Sequence, residues 1–147
     1  MNSYVIKKAE KKDRDFILFA NQKVNIASGI KESFLAENIE RDVLCDDPKC
    51  ECLVVQKENE PVGMCLYSKI YWADFGQGIY LSQVYVRPEH RKNGIFKMLV
   101  NYMFENGEDI KFVTCMVGDE NAAMQKVMTK TGWKTFDLKY YYLMNKC

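Results

Sequence analysis

The stretch Ile79-Tyr-Leu-Ser-Gln-Val-Tyr-Val86 is apolar or aromatic at both its odd and its even positions. A strand with one wet face alternates apolar and polar residues, whereas one that is apolar on both faces belongs in the middle of a sheet covered on both sides. Pro88 ends this strand, and Ile95, Leu99, Tyr102 and Met103 then recur at helical spacing, predicting a helix over Ile95–Glu105. A central strand leading directly into a helix requires layered packing, so the chain is α/β (α+β).

The other segments fit that frame. Tyr4–Lys7 reads as a strand, and Asp13 to about Val24 as a helix whose stripe is Phe16, Ile17, Ala20 and Val24. A second helix, Lys31–Leu44, places Leu35, Ile39 and Val43 on one side. Glu51–Lys57 and Val62–Ile70 are β-prone runs joined by the turn residues Glu58-Asn59-Glu60-Pro61, which predicts a hairpin. Turn chemistry at Asp74–Gly78 precedes the central strand. Ile110–Val117 is a buried strand, Asn121–Thr131 a helix closed by Gly132, and Trp133–Phe136 with Tyr140–Met144 a final hairpin. The expected order is βααβββαβαββ: a mixed, mostly antiparallel sheet of about seven strands with helices on both faces. At 147 residues the chain suits one domain, 1–147.

Charge and composition exclude several function classes. The net charge is +1, with basic residues scattered among acids, so no field draws the protein to nucleic acid or an anionic membrane. There is no Gly-x4-Gly-Lys-Ser/Thr loop, which disfavours nucleotide hydrolysis. No apolar run approaches a bilayer span and the first residues lack a leader's apolar stretch, so a cytoplasmic protein is expected. Cys45, Cys50, Cys52, Cys65, Cys115 and Cys147 read as reduced thiols. The cluster of the first three lacks paired Cys-x2-Cys spacing and His90 is the single histidine, so no metal is expected.

The chemistry lies where the central strand meets its helix. A helix N-terminus offers backbone N–H groups and the positive end of the dipole, and Gly94 lets an anion approach without a Cβ in the way. Arg91, Lys92 and Lys97 add charge there, which suits a ligand carrying several phosphates. An Arg-x-x-Gly spacing by itself is also what an ordinary solvated strand-to-helix loop looks like.

Val86-Arg-Pro-Glu-His-Arg91-Lys-Asn-Gly94 resembles the acyl-CoA-binding motif of the GNAT (GCN5-related N-acetyltransferase) family, Val-x-Pro-x-x-Arg-x-x-Gly-x-Gly/Ala. Asn121, Gly132 and Trp133 resemble its second signature, an Asn opening the fourth helix and a Gly-aromatic pair closing it. The resemblance covers essentially the whole chain. It implies an N-acetyltransferase that uses acetyl-CoA as donor, releases CoA, and acetylates a primary amine of a small molecule or peptide by direct attack. It implies that the backbones of Val84 and Val86, flanking Tyr85, pair with the pantetheine arm. The amides of Arg91, Lys92, Asn93, Gly94, Ile95 and Phe96, with the Lys97 charge, would hold the pyrophosphate, and Asn121 would contact the pantetheine. The N–H of Val84 would face the acyl carbonyl as oxyanion donor.

Three positions depart from the family pattern. Phe96 stands where Gly or Ala is usual. Met128 stands seven residues after Asn121, where many relatives place a Tyr that protonates the leaving thiolate; methionine has no proton to give. Tyr140, Tyr141 and Tyr142 are candidate replacements, although CoA thiolate is itself a good leaving group. No carboxylate lies between Ile79 and Val86. Gln83, with Tyr80 and Ser82, would instead hold waters that carry the amine's proton away, or is simply a buried amide satisfied by hydrogen bonds. Asp74 is a further candidate base. Cys115 as an acyl carrier is disfavoured by its apolar neighbours and the lack of a nearby histidine. A catalytically silent acyl-CoA-binding or interaction module is the alternative reading. The acceptor's identity is not legible, and the aromatic-rich C-terminal strand leaves room for a homodimer.

Overall fold

Glu58 and Asn59 both have positive φ, 52° and 67°. Together they make a two-residue primed turn whose twist matches that of the strands it joins. It links β2 (Glu51–Lys57) to β3 (Glu60–Trp72), and Lys57 pairs with Glu60 across it. The sequence places Glu60 and Pro61 in the turn, but the tight loop brings both into β3, where Pro61 pairs with Gln56 and a bulge leaves Val62 as the extra residue. The computed structural model describes residues 3–27, 35–118, 120–136 and 143.

Among the described residues five strands form one sheet in the order β1-β2-β3-β4-β5. The edge strands are β1 (Val5–Lys8) and β5 (Phe112–Cys115), and β4 (Gly76–Val86) lies between β3 and β5. All neighbours are antiparallel except β4 and β5, which run parallel. Gly78 lies opposite Phe112, and a Cβ there would come within 2.4 Å of the Phe112 ring, so glycine lets the aromatic ring lie on the strand.

Helices α1 (Arg14–Ala27) and α2 (Leu35–Asp42) pack on one face. Their buried side chains Phe16, Ile17, Ala20 and Ile39 meet Cys52, Val54, Met64, Leu66 and Tyr85 from alternate positions of β2, β3 and β4. The intervening residues Leu53, Val55 and Cys65 are also fully buried, so these strands are covered on both sides. Helix α3 (Ile95–Asn106) contacts β4 and buries Ile95, Leu99 and Met103, one every fourth residue.

The chain divides into two compact units, residues 1–116 and 117–147. The second contains α4 (Ala122–Lys130). Gly132 takes a left-handed φ of 84°, and the Trp133 N–H donates to the Met128 carbonyl at 3.1 Å. This is the six-to-one closure that ends many helices. No strand is assigned to residues 133–136, and the described residues hold five strands where about seven are expected. The expected second arm, Tyr140–Met144, lies outside the described residues apart from Leu143, and so do the candidate acids Tyr140, Tyr141 and Tyr142.

Candidate functional site

The pairing of β4 changes along its length. On the β3 side, Leu66 lies opposite Gln83 but Tyr67 opposite Leu81, so Ser82 is an extra, bulged residue, and its Oγ donates to the Leu66 carbonyl at 3.1 Å. On the β5 side the ladder ends at Leu81 opposite Cys115. Beyond the bulge the Arg87 N–H donates to the Val62 carbonyl at 2.8 Å. Successive residues of a strand turn their backbone groups to alternate sides. Tyr85 and Arg87 therefore face β3, and Val84 and Val86 face the side that β5 has left. That row of backbone groups can take an extended ligand as an added strand.

The same strand then delivers the chain to α3. Its N-cap is Gly94, with φ 76° and ψ 17°, and no side chain caps the helix. The first helical bond runs from the Met98 N–H to the Gly94 carbonyl at 3.0 Å, so the amides of the first turn point along the axis toward the loop. A Cβ built on Gly94 would meet nothing within 4 Å, so the loop is open to its surroundings at this glycine. Arg91, Lys92, Asn93 and Gly94 are exposed. The loop is held by its own side chains: Asn93 Nδ2 donates to the carbonyls of His90 and Arg91 at 3.0 and 3.1 Å. Arg91 Nε donates to the Val86 carbonyl at 3.0 Å. An uncapped, glycine-fronted helix terminus with cations beside it fits a diphosphate.

Gln83 is engaged by α1. Asn21 Nδ2 donates to Gln83 Oε1 at 2.7 Å, Gln83 Nε2 to Asn25 Oδ1 at 3.5 Å, and Asn25 Nδ2 to Asn21 Oδ1 at 3.1 Å. Asn21 and Asn25 are 1% and 6% exposed. The sequence signals the Asn pair but not its partner Gln83, because Asn21 and Asn25 lie one turn apart on the buried stripe of α1 where apolar residues are expected.

Residues 20–133 match the Acetyltransferase (GNAT) family. The chain belongs to that family. A pig thialysine N-epsilon-acetyltransferase is 34% identical over 77 residues, which is 47% of this chain and 45% of the pig protein, so the match spans about half of either. Among solved structures, a possible acetyltransferase from Clostridium difficile 630 superposes with a TM-score of 0.77 at 22% identity, covering 97% of this chain and 98% of that one. An aminoglycoside N-acetyltransferase in complex with CoA gives a TM-score of 0.77 at 14% identity, covering 100% and 97%. At such identities these two likenesses establish the fold.

Asn121 lies in the second unit and caps α4, its Oδ1 accepting from the Met124 N–H at 3.2 Å. Met128 is buried. Asp74 is exposed in the turn between β3 and β4. Phe96 follows Gly94 in the first turn of α3 and is half-buried. Cys115 lies on the last rung beside Leu81, and burial pushes its thiol up to about 11, so it is un-ionised at neutral pH. A neutral thiol is a poor acyl acceptor. Cys115→Ala should therefore retain turnover, and a loss of more than about tenfold in kcat would make the thiol an acyl carrier.

Proposed function

We propose that the protein is an acyl-CoA-dependent N-acyltransferase that moves an acetyl group from acetyl-CoA to a primary amine by direct attack. What chiefly supports this reading is the continuity of two features on one strand. Among the described residues no strand pairs with Val84 and Val86 on the side away from β3, where the Val86 carbonyl accepts from Arg91 Nε, and a few residues later the chain enters an uncapped helix terminus fronted by Gly94. A ligand with an amide-bearing arm ending in a diphosphate matches both at once.

Bound acetyl-CoA would supply an acyl thioester. In this reading the Val84 N–H receives the negative charge that develops on the acyl oxygen, a contribution of roughly 10²- to 10³-fold in rate. The amides of Arg91 to Phe96, with Arg91, Lys92 and Lys97, hold the diphosphate. Gln83 contributes hydrogen bonds and no proton transfer, because a carboxamide is not a base at neutral pH. The family match runs across the boundary between the two units, which supports treating residues 1–147 as one GNAT domain.

Titration calorimetry with CoA, paired with a thiol-release assay over a panel of amines, tests the reading. The panel includes thialysine and an aminoglycoside, after the relatives' names, together with polyamines, free amino acids and peptides. Micromolar CoA binding with release above background for one acceptor is expected. Binding with background release throughout would favour a silent acyl-CoA-binding module, a reading to which Met128 and the carboxylate-free β4 lend some weight. No binding at millimolar CoA would overturn both.

A further inference from the structure

Each carboxamide in the Asn21–Asn25–Gln83 cluster donates one N–H to the next and accepts one from the previous, so the three close a ring. Such rings polarise their members and hold them rigidly against one another. Two members are deeply buried on α1, while Gln83 is half-buried on β4, directly before Val84. The bonds are unequal. The 2.7 Å bond from Asn21 pins Gln83 Oε1 firmly, whereas the 3.5 Å contact from Gln83 Nε2 to Asn25 is at the limit of a hydrogen bond. The oxygen of Gln83 is thus the anchored end, and a carbonyl oxygen has two lone pairs, of which Asn21 uses one.

We propose that Asn21 and Asn25 are positioning residues that act through Gln83, whose Oε1 accepts an N–H of the acceptor amine and aims the amine's lone pair at the acyl carbon. The proposal rests on the acyl-transfer reading above. In the transfer a C–N bond forms as the C–S bond breaks, CoA leaves as thiolate, and the amine's excess proton passes to solvent. Gln83 only accepts a hydrogen bond. A carboxamide suits this task because it holds an uncharged amine, whereas a carboxylate would favour the ammonium form, which has no lone pair to attack with. The two ends of an amide must be told apart, and while Asn21 donates to it the oxygen of Gln83 stays the anchored end.

The test is steady-state kinetics with acetyl-CoA and whichever panel amine gives the highest thiol release, on Asn21→Leu, Gln83→Leu and the double variant. Asn21→Leu is expected to lower kcat by about 10- to 100-fold, the cost of a misplaced reactant, with the CoA dissociation constant unchanged. Gln83→Leu should fall by a similar factor, and the double variant should be no slower than Gln83→Leu, since Asn21 has no route to the amine once Gln83 is gone. Wild-type kcat in Asn21→Leu, or losses that multiply in the double variant, would overturn the proposal. A thermal melt checks each fold. Should Asn21→Leu fail to fold, Gln83→Met at the half-buried position decides the matter: wild-type kcat there overturns the proposal, and a loss of about tenfold or more supports it. A wild-type protein that binds CoA but turns over no amine overturns the acyl-transfer reading and this role with it, whereas an active wild type with an equally active Asn21→Leu overturns only the role.

Discussion

Gly94→Val is expected to weaken CoA binding by more than about 100-fold, some 2.7 kcal/mol, while the protein still folds. Two effects combine. Gly94 sits at φ 76°, in the left-handed region that β-branched residues avoid, so valine pulls the loop toward another conformation and turns the first amides of α3 away. The built Cβ also projects into open space, with nothing within 4 Å, so the branched side chain stands where a diphosphate would approach. The same openness is why the fold should survive: no packed neighbour is displaced and the loop is exposed. Gly94→Asn separates the causes, because asparagine tolerates the left-handed region but still adds a Cβ. Calorimetry with CoA should find Gly94→Asn between wild type and Gly94→Val. If Gly94→Val binds CoA with wild-type affinity, the loop does not hold the diphosphate.

The layered architecture was legible because burial writes itself into periodicity. Glu51–Lys57 is found with the bounds its β-prone run implies, and Ile95 begins α3 where the apolar spacing resumes after the glycine. The apolar content of β4 on both faces correctly implied a strand inside a covered sheet. At Trp133–Phe136 the expected strand is absent. An aromatic, β-prone run signals a strand only where a partner lies in register with it, and its own residues do not encode that partner. The loop from Arg91 to Gly94 could be found because a motif of local spacing is carried entirely by neighbouring residues. The amide ring could not be found in the same way. Its members are 62 and 58 residues apart in sequence where Gln83 meets Asn21 and Asn25, and only the packing of α1 on β4 brings them together. The bulge at Ser82 is likewise a property of two strands in register, which no single segment encodes.

Val84→Pro should lower kcat by roughly 10²- to 10³-fold, the value of one well-aimed oxyanion donor, with a much smaller loss of stability than a proline in a central strand normally brings. The distinction lies in where the Val84 N–H points. Proline inside a sheet is destabilising because it removes a ladder hydrogen bond. Here Val84 lies opposite Cys65 with its backbone groups turned away from β3, and the ladder to β5 has ended at Leu81. The substitution therefore removes a donor that the sheet does not use. Gln83 before it is already extended, as the residue preceding a proline must be. Tyr85→Pro is the informative contrast, since the Tyr85 N–H faces β3 and its loss should unfold the strand. Thermal melts of the two variants and kcat for Val84→Pro at saturating acetyl-CoA complete the measurement. A folded Val84→Pro that turns over at the wild-type rate would mean that the acyl oxygen is stabilised elsewhere. A Val84→Pro as unstable as Tyr85→Pro would mean that the Val84 N–H belongs to the sheet and not to the reaction.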